Sequence, residues 1–284
     1  MKILVLGASG MLGNAVIRVL VNDKKFEVFA SARSPSVCMH FPPKIAKNII
    51  TGVDVENFDV LSRLFSEVQP NIVINCIGLV KQLATSNNPL SALPINAMLP
   101  HRIAQFCQLI GARLIHISTD CVFSGRKGRY VESDEPDALD LYGRSKLLGE
   151  VDYPHAVTLR TSIIGRELNS AHGLIGWFLA QKNQIKGYTK AIFSGLPTCE
   201  LARVIRDEVM PRHNMRGLYH VAAAPISKYE LLQLVNKEYQ KELKIEPDNS
   251  LVIDRSLNAD RFKKITGYVA PPWPVLVAEM RKFR

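Results

Sequence analysis

Residues 2–20 read KILVLGASGMLGNAVIRVL, and this stretch decides the fold. Lys2 to Leu6 form a short aliphatic run with no polar alternation, the pattern of a strand buried on both faces. Gly7, Gly10 and Gly13 follow in a GxxGxxG spacing, and a helical pattern runs on to Leu20. The first glycine permits a tight turn and the second lets backbone approach a pyrophosphate. The third lets the helix pack closely on the strand. The helix N-terminus then offers free N–H groups and the positive end of its dipole to an anion. Strand, glycine loop and helix in that order predict dinucleotide binding. A purely structural glycine turn is the alternative.

Outward from this segment the same alternation repeats. Strand-like runs occur at FEVFAS, NIVINCIG, ARLIHIST and HAVTLRTS, with a shorter one at NIITGVDV. Helical spacing occupies FDVLSRLFSEV, the stretch leading into HRIAQFCQLIG, and YGRSKLLGEV, with Gly111 placed as a helix C-terminal glycine. Strand and helix in alternation imply an α/β fold: a Rossmann-type, doubly wound parallel sheet with right-handed crossovers. Beyond residue 166 the rhythm loosens. Helix patterns appear at LIGWFLAQ, from about Glu200 to Met210, and at KYELLQLVNKEY. Strand candidates GLYHVA and LVIDRS interleave with them, and IKGYTKAIFSG reads as a basic loop. The expected division is a dinucleotide-binding domain over residues 1–165 and a smaller α/β substrate-binding part over 166–284.

The 284 residues are 47% hydrophobic and 22% charged, which excludes a disordered chain and a polytopic membrane protein. No apolar run approaches the ~20 residues that span a bilayer, and the N-terminal segment lacks the long apolar stretch of a signal peptide. The formal net charge is +10, but the Lys and Arg residues are scattered rather than blocked. A solvated, patchy surface is the plain reading of that charge, and phosphate-bearing small molecules, not nucleic acid or membrane, are the sharper one. Five cysteines (Cys38, Cys76, Cys107, Cys121, Cys199) show no CxxC spacing, which favours a reducing cytoplasm.

At the end of the second strand, where an acid would read the ribose of NAD, the chain has Ser31-Ala32-Arg33-Ser34. Arg33 suits a 2′-phosphate, so NADPH is expected, with NADH as the alternative cofactor. A plain surface arginine is the other reading. Tyr142 and Lys146 form YxxxK, and on a helix residues four apart share one face. Twenty-three residues before Tyr142, the run ARLIHIST ends in Thr119, at the carboxyl edge where open α/β sheets bind ligands. Reducing a ketone with hydride requires a proton for the nascent alkoxide. A free tyrosine (pKa ~10) gains from a lysine cation that stabilises its phenolate. Thr119, Tyr142 and Lys146 are the candidate catalytic residues.

GASGMLG, STDCVFSG, YGRSK and LRTS, together with SGLPTCELARVI and the closing TGY…PPWP, make the chain similar to extended short-chain dehydrogenases/reductases. Within them it most resembles the dTDP-4-dehydrorhamnose reductases and related nucleotide-sugar 4-ketoreductases. That resemblance implies an NADPH-dependent reduction of a nucleotide-diphosphate deoxysugar, for cell-surface polysaccharide precursors. It implies Thr119 as the substrate-orienting hydroxyl, Tyr142 as the acid and Lys146 as its partner, the last two also touching cofactor. It assigns Gly7, Gly10, Met11, Leu12 and Gly13 to the pyrophosphate. Asp54 and Val55 go to the adenine, Cys76, Ile77 and Gly78 to the ribose side, and Thr161 and Ser162 to the nicotinamide end. Ile163-Ile164 and GLVKQ depart from the rhamnose enzymes where the substrate lies. Ala15 and Val16 stand where bacterial members carry a metal-bridging acid, so no metal is expected. A homodimer is allowed. For the substrate's diphosphate the candidates are Lys81, Gln82, Arg203 and Arg255, because arginine forks match phosphate. The alternatives are an NADP-binding regulatory subunit of the methionine adenosyltransferase type, and an epimerase or dehydratase of the same superfamily.

Overall fold

The computed structural model describes residues 1–80, 84–168, 171 and 173–283. Strand β1 (Lys2–Leu6) lies inside a parallel sheet, and the two-residue period of a strand sends its side chains to opposite faces. Ile3 and Val5 enter one apolar core, Leu4 and Leu6 the other. Both faces are buried, which is why β1 reads as an unbroken apolar run.

The sheet continues through β2 (Glu27–Ser31), β3 (Ile49–Ile50), β4 (Ile72–Asn75), β5 (Arg113–Thr119), β6 (Ala156–Thr161) and β7 (Gly217–His220). Its order is β7-β6-β5-β4-β1-β2-β3, with every adjacent pair parallel. The order reverses between β1 and β4, so a ligand crevice opens there at the carboxyl edge.

The main helices are α1 (Met11–Leu20), α2 (Phe58–Val68), α3 (Leu99–Ile110), α4 (Leu141–Leu148), α5 (Thr198–Val204), α6 (Lys228–Glu238) and α7 (Trp273–Lys282). Leu12, Val16 and Leu20 of α1 share a core with Leu201 and Ala202 of α5, on the Ile3 and Val5 face. Leu61, Leu64 and Phe65 of α2 meet Ile103 and Phe106 of α3 on the other. Gly111 ends α3 with φ +70°, as the sequence predicts.

Elements from both sides of the boundary expected between residues 165 and 166 share the main sheet and one core. Strand β7 and helix α5 come from the second part, yet β7 extends the main sheet beside β6 and α5 covers α1. The remaining C-terminal segments form small sheets. Ile163–Ile164 pairs with Leu196–Pro197, Ala191–Phe193 lies between Ile226–Ser227 and Ile253–Asp254, and Ile185–Tyr188 pairs with Ile245–Asp248. The stretch expected as a basic loop thus supplies two strands. Its Lys186 and Tyr188 face solvent while Ile185 and Gly187 face inward.

Candidate active site

The glycine loop sits at the β1 end of the crevice. The N–H groups of Gly7 and Ala8 donate to the Ser31 carbonyl at 3.3 and 2.9 Å, which ties the loop to the end of β2. A Cβ on Gly13 would lie 2.1 Å from the Gly7 carbonyl oxygen, so only glycine lets α1 approach β1 this closely. Gly10 caps α1 without a side-chain hydrogen bond. The N–H groups of Met11, Leu12 and Gly13, which have no partner within the helix, are left for an anion.

Arg33 stands two residues beyond β2, exposed, and its guanidinium has no partner among the described residues. Asp54 is exposed and spends one carboxylate oxygen on the Glu56 N–H at 3.1 Å, while Val55 is buried. After β4, Cys76 donates its N–H to the Leu6 carbonyl at 3.1 Å, and Ile77 donates to Asn75 Oδ1 at 3.1 Å. Burial pushes the Cys76 thiol up to about 12, so it is neutral. Gly78 faces the helix that carries the candidate residues Tyr142 and Lys146: a Cβ placed there would lie 3.7 Å from Lys146 Nζ.

That helix, α4, begins at Asp140, whose side chain accepts from the Gly143 N–H at 2.8 Å. A Cβ on Gly143 would lie 2.2 Å from the Cys121 carbonyl oxygen, so glycine lets α4 close against the end of β5. Tyr142 and Lys146 then fall one turn apart on the face toward Thr119. Thr119 Oγ1 accepts from the Cys121 N–H at 3.1 Å, donates to Asp120 Oδ1 at 3.2 Å, and interacts with the Tyr142 phenol. Lys146 is buried and donates to the Ile117 carbonyl at 2.8 Å.

The electrostatics differ from the expectation in one respect. The sequence predicts that the lysine cation lowers the tyrosine pKa. In the structure burial dominates and raises the phenol above its ordinary value, helped by Cys121, Asp120 and Asp140, with Thr119 pulling the other way. Burial also lowers Lys146 to about 8 against the upward pull of Glu150 and Cys76. Tyr142 therefore stays protonated at neutral pH, a donor beside an ammonium and a hydroxyl. Such a trio can give a proton to an oxygen that is gaining charge.

The substrate candidates divide. Lys81 and Gln82 lie outside the described residues. Arg203 is held by Glu200 at 3.4 Å and by Glu279 of α7 at 3.0 Å, so its fork ties α5 to α7. Arg255 donates Nε to the Phe123 carbonyl at 2.7 Å, and its charge lowers the pKa of Asp120, which burial otherwise raises. Its two terminal nitrogens have no partner among the described residues. Thr161 ends β6 and donates to the Ser162 carbonyl at 3.1 Å, and Ser162 in turn interacts with Asp120.

Sequence reasoning passed over Asn96. It is buried and accepts from the Leu79 N–H at 2.9 Å. It donates to the Leu79 carbonyl at 3.3 Å and to Ser145 Oγ at 3.2 Å. Ser145 Oγ in turn donates to the Tyr142 carbonyl at 2.9 Å. Asn96 thereby joins the loop after β4 to helix α4. The signal was a lone amide in the apolar stretch LPINAML, which folds as a single π-helical turn, a feature frequent at functional sites.

A family model described as the RmlD substrate binding domain matches residues 1–264. The chain is 32% identical over 178 residues to a probable low-salt glycan biosynthesis reductase of Haloferax volcanii, covering 61% of this chain and 57% of that protein. It thus spans little more than half of that relative. It is 27% identical over 244 residues to methionine adenosyltransferase 2 subunit beta of Danio rerio, covering 81% and 71%. It is 25% identical over 240 residues to dTDP-4-dehydrorhamnose reductase of Aggregatibacter actinomycetemcomitans, covering 81% and 76%. The fold matches that of the Bacillus anthracis dTDP-4-dehydrorhamnose reductase crystallised with NADP. The TM-score is 0.81 at 22% identity, over 99% of this chain and 98% of that one. The glycine loop, the Thr119 strand end and the Tyr142 helix all fall inside the matched residues, and the chain belongs to the RmlD substrate-binding-domain family.

Proposed function

We propose that this protein is an NADPH-dependent reductase acting on the 4-keto group of a nucleotide-diphosphate deoxysugar, in cytoplasmic synthesis of cell-surface polysaccharide precursors. The observation that carries the reading is the meeting of Thr119, Tyr142 and Lys146 at the carboxyl edge of β5, beside Gly78. The residues fit the cofactor. The uncapped start of α1 suits a pyrophosphate, and Arg33, without a partner among the described residues, suits a 2′-phosphate. Met11, Leu12, Asp54, Val55, Cys76 and Ile77 are the residues proposed for the rest of the cofactor. When bound, NADPH supplies the hydride.

The chain's own residues do the remainder. Thr119 holds the substrate carbonyl oxygen against the Tyr142 hydroxyl. Tyr142 gives its proton to that oxygen as the carbonyl carbon is reduced, and the Lys146 ammonium offsets the charge left on the phenolate. Arg255, with its fork open near Asp120, is the substrate's phosphate contact in this reading. Arg203, already paired twice, is the weaker candidate.

The experiment is a panel of dTDP- and UDP-linked 4-keto sugars incubated with NADPH, with the product identified by mass spectrometry. A product heavier by two hydrogens with one member of the panel supports the reading. Cofactor binding with no turnover on any member would favour a regulatory NADP-binding subunit, a reading supported by the match to the methionine adenosyltransferase beta subunit.

A further inference from the structure

Beyond its glycine-rich start, α1 grips the segment that follows β2. Asn14 and Arg18 lie four residues apart on α1, so they share one face. Arg18 Nε donates to Asn14 Oδ1 at 2.8 Å, and Nη2 donates to the His40 carbonyl at 2.5 Å. The guanidinium also lies over the Phe41 ring, 5.1 Å from its centroid. Asn14 and Phe41 are both buried. A rigid planar fork, bonded to its own helix and to a distant carbonyl, sets direction as well as distance. Arg18 thus fastens residues 40 and 41 to α1.

Those residues close the segment that opens with Arg33. The Arg33 carbonyl accepts from the Gly52 N–H at 3.1 Å, which holds the near end against the chain after β3. A 3-10 helical turn follows over Pro35–His40. The Ser36 N–H donates to Ser34 Oγ at 3.3 Å, and the Phe41 N–H donates to the Cys38 carbonyl at 3.2 Å. Val37 enters the core that also holds Val16 and Leu20 of α1. Arg33, Ser34, Pro35 and Ser36 stay exposed. The Arg33 side chain has no partner among the described residues, so its aim depends on the backbone that carries it. That backbone is fixed by Gly52 at one end and by Arg18 at the other.

We propose that Arg18 is a positioning residue for cofactor selection: by fastening the Pro35–His40 turn to α1, it aims Arg33 at the 2′-phosphate of NADPH. The proposal rests on the reading that Arg33 contacts that phosphate. Its test is a set of dissociation constants for NADPH and NADH, measured by fluorescence titration. The proteins compared are the wild type, Arg18→Met, Arg33→Ala and the double variant.

Arg18→Met keeps an apolar stem over Phe41 and loses the fork. It should weaken NADPH about fivefold, a part of what a charge-assisted phosphate contact provides, and leave NADH nearly unchanged. Added to Arg33→Ala it should cost nothing more, because residues that act through one contact are not additive. Asn14→Ala, which removes only the Nε anchor, should weaken NADPH in the same direction by a smaller factor. Equal weakening of both cofactors by Arg18→Met, or factors that multiply in the double variant, would mark a plain structural pin and overturn the proposal. Unchanged NADPH affinity in folded Arg18→Met would overturn it too. Should Arg18→Met fail to fold, Asn14→Ala takes its place in the same comparison, with the same outcomes deciding. The underlying reading fails separately, when Arg33→Ala weakens both cofactors alike or neither.

Discussion

Burial holds the Tyr142 phenol protonated above its ordinary range, so in the proposed reduction the residue would meet its substrate as an acid rather than as a phenolate. Lys146 is the group that titrates within reach, at about 8. In the proposed reaction its working form is the ammonium, which exists below that pH. Reduction should therefore fall as pH rises through about 8, and a rate profile that keeps climbing above it would exclude the role given to Lys146. The role proposed for Arg33, two residues beyond β2, is separate. A charge-assisted hydrogen bond to phosphate contributes roughly 1.5–3 kcal/mol. Arg33→Ala should thus weaken NADPH about tenfold to a hundredfold and leave NADH nearly unchanged, as titration of intrinsic fluorescence can show. Equal weakening of both cofactors would move the 2′-phosphate contact elsewhere.

Among the elements, β5 does the most. Its start is pinned by Arg113, which donates to the Val209 and Met215 carbonyls at 2.8 Å each, and its end carries Thr119. Arg113→Met leaves those buried carbonyls without their donor. It should lower unfolding free energy by about 1.5–3 kcal/mol, measured by urea denaturation, with little change in cofactor affinity. The sheet strands and the glycine loop were legible in the sequence because double-sided burial leaves unbroken apolar runs, as in KILVL and NIVIN. YxxxK was legible because four residues make one helical turn. The strands of residues 185–188 and 191–193 were not, since Lys186 and Gly187 look like loop chemistry until a partner strand covers them. Nor could spacing tell that Glu279, seventy-six residues away in sequence, would occupy the Arg203 fork. Asn96 was hidden for the same reason: its partners, Leu79 and Ser145, are distant in sequence.

Across the whole molecule, the two parts of the chain share one sheet, and the seam between β6 and β7 joins them. His220 lies in that seam, fully buried, with its Nδ1–H donated to the Tyr130 carbonyl at 3.0 Å. Burial and the neighbouring Arg160 lower its pKa from 6.5 to about 4. The unfolded chain therefore binds this proton before the folded one does. Stability should be lost as pH falls from about 6.5 toward about 4, by up to roughly 3 kcal/mol from this group. His220→Gln should flatten that slope in thermal melts, and an equally steep slope would place the acid sensitivity elsewhere.

The central claim is that Tyr142 delivers the proton in a reduction performed by this one sheet edge. The most direct measurement follows loss of NADPH absorbance with the best 4-keto nucleotide sugar, for the wild type and for Tyr142→Phe at matched cofactor occupancy. The phenylalanine variant should bind NADPH normally and turn over about 10²–10⁴ times more slowly, the usual contribution of a general acid. Turnover near the wild-type rate in that variant would contradict the claim.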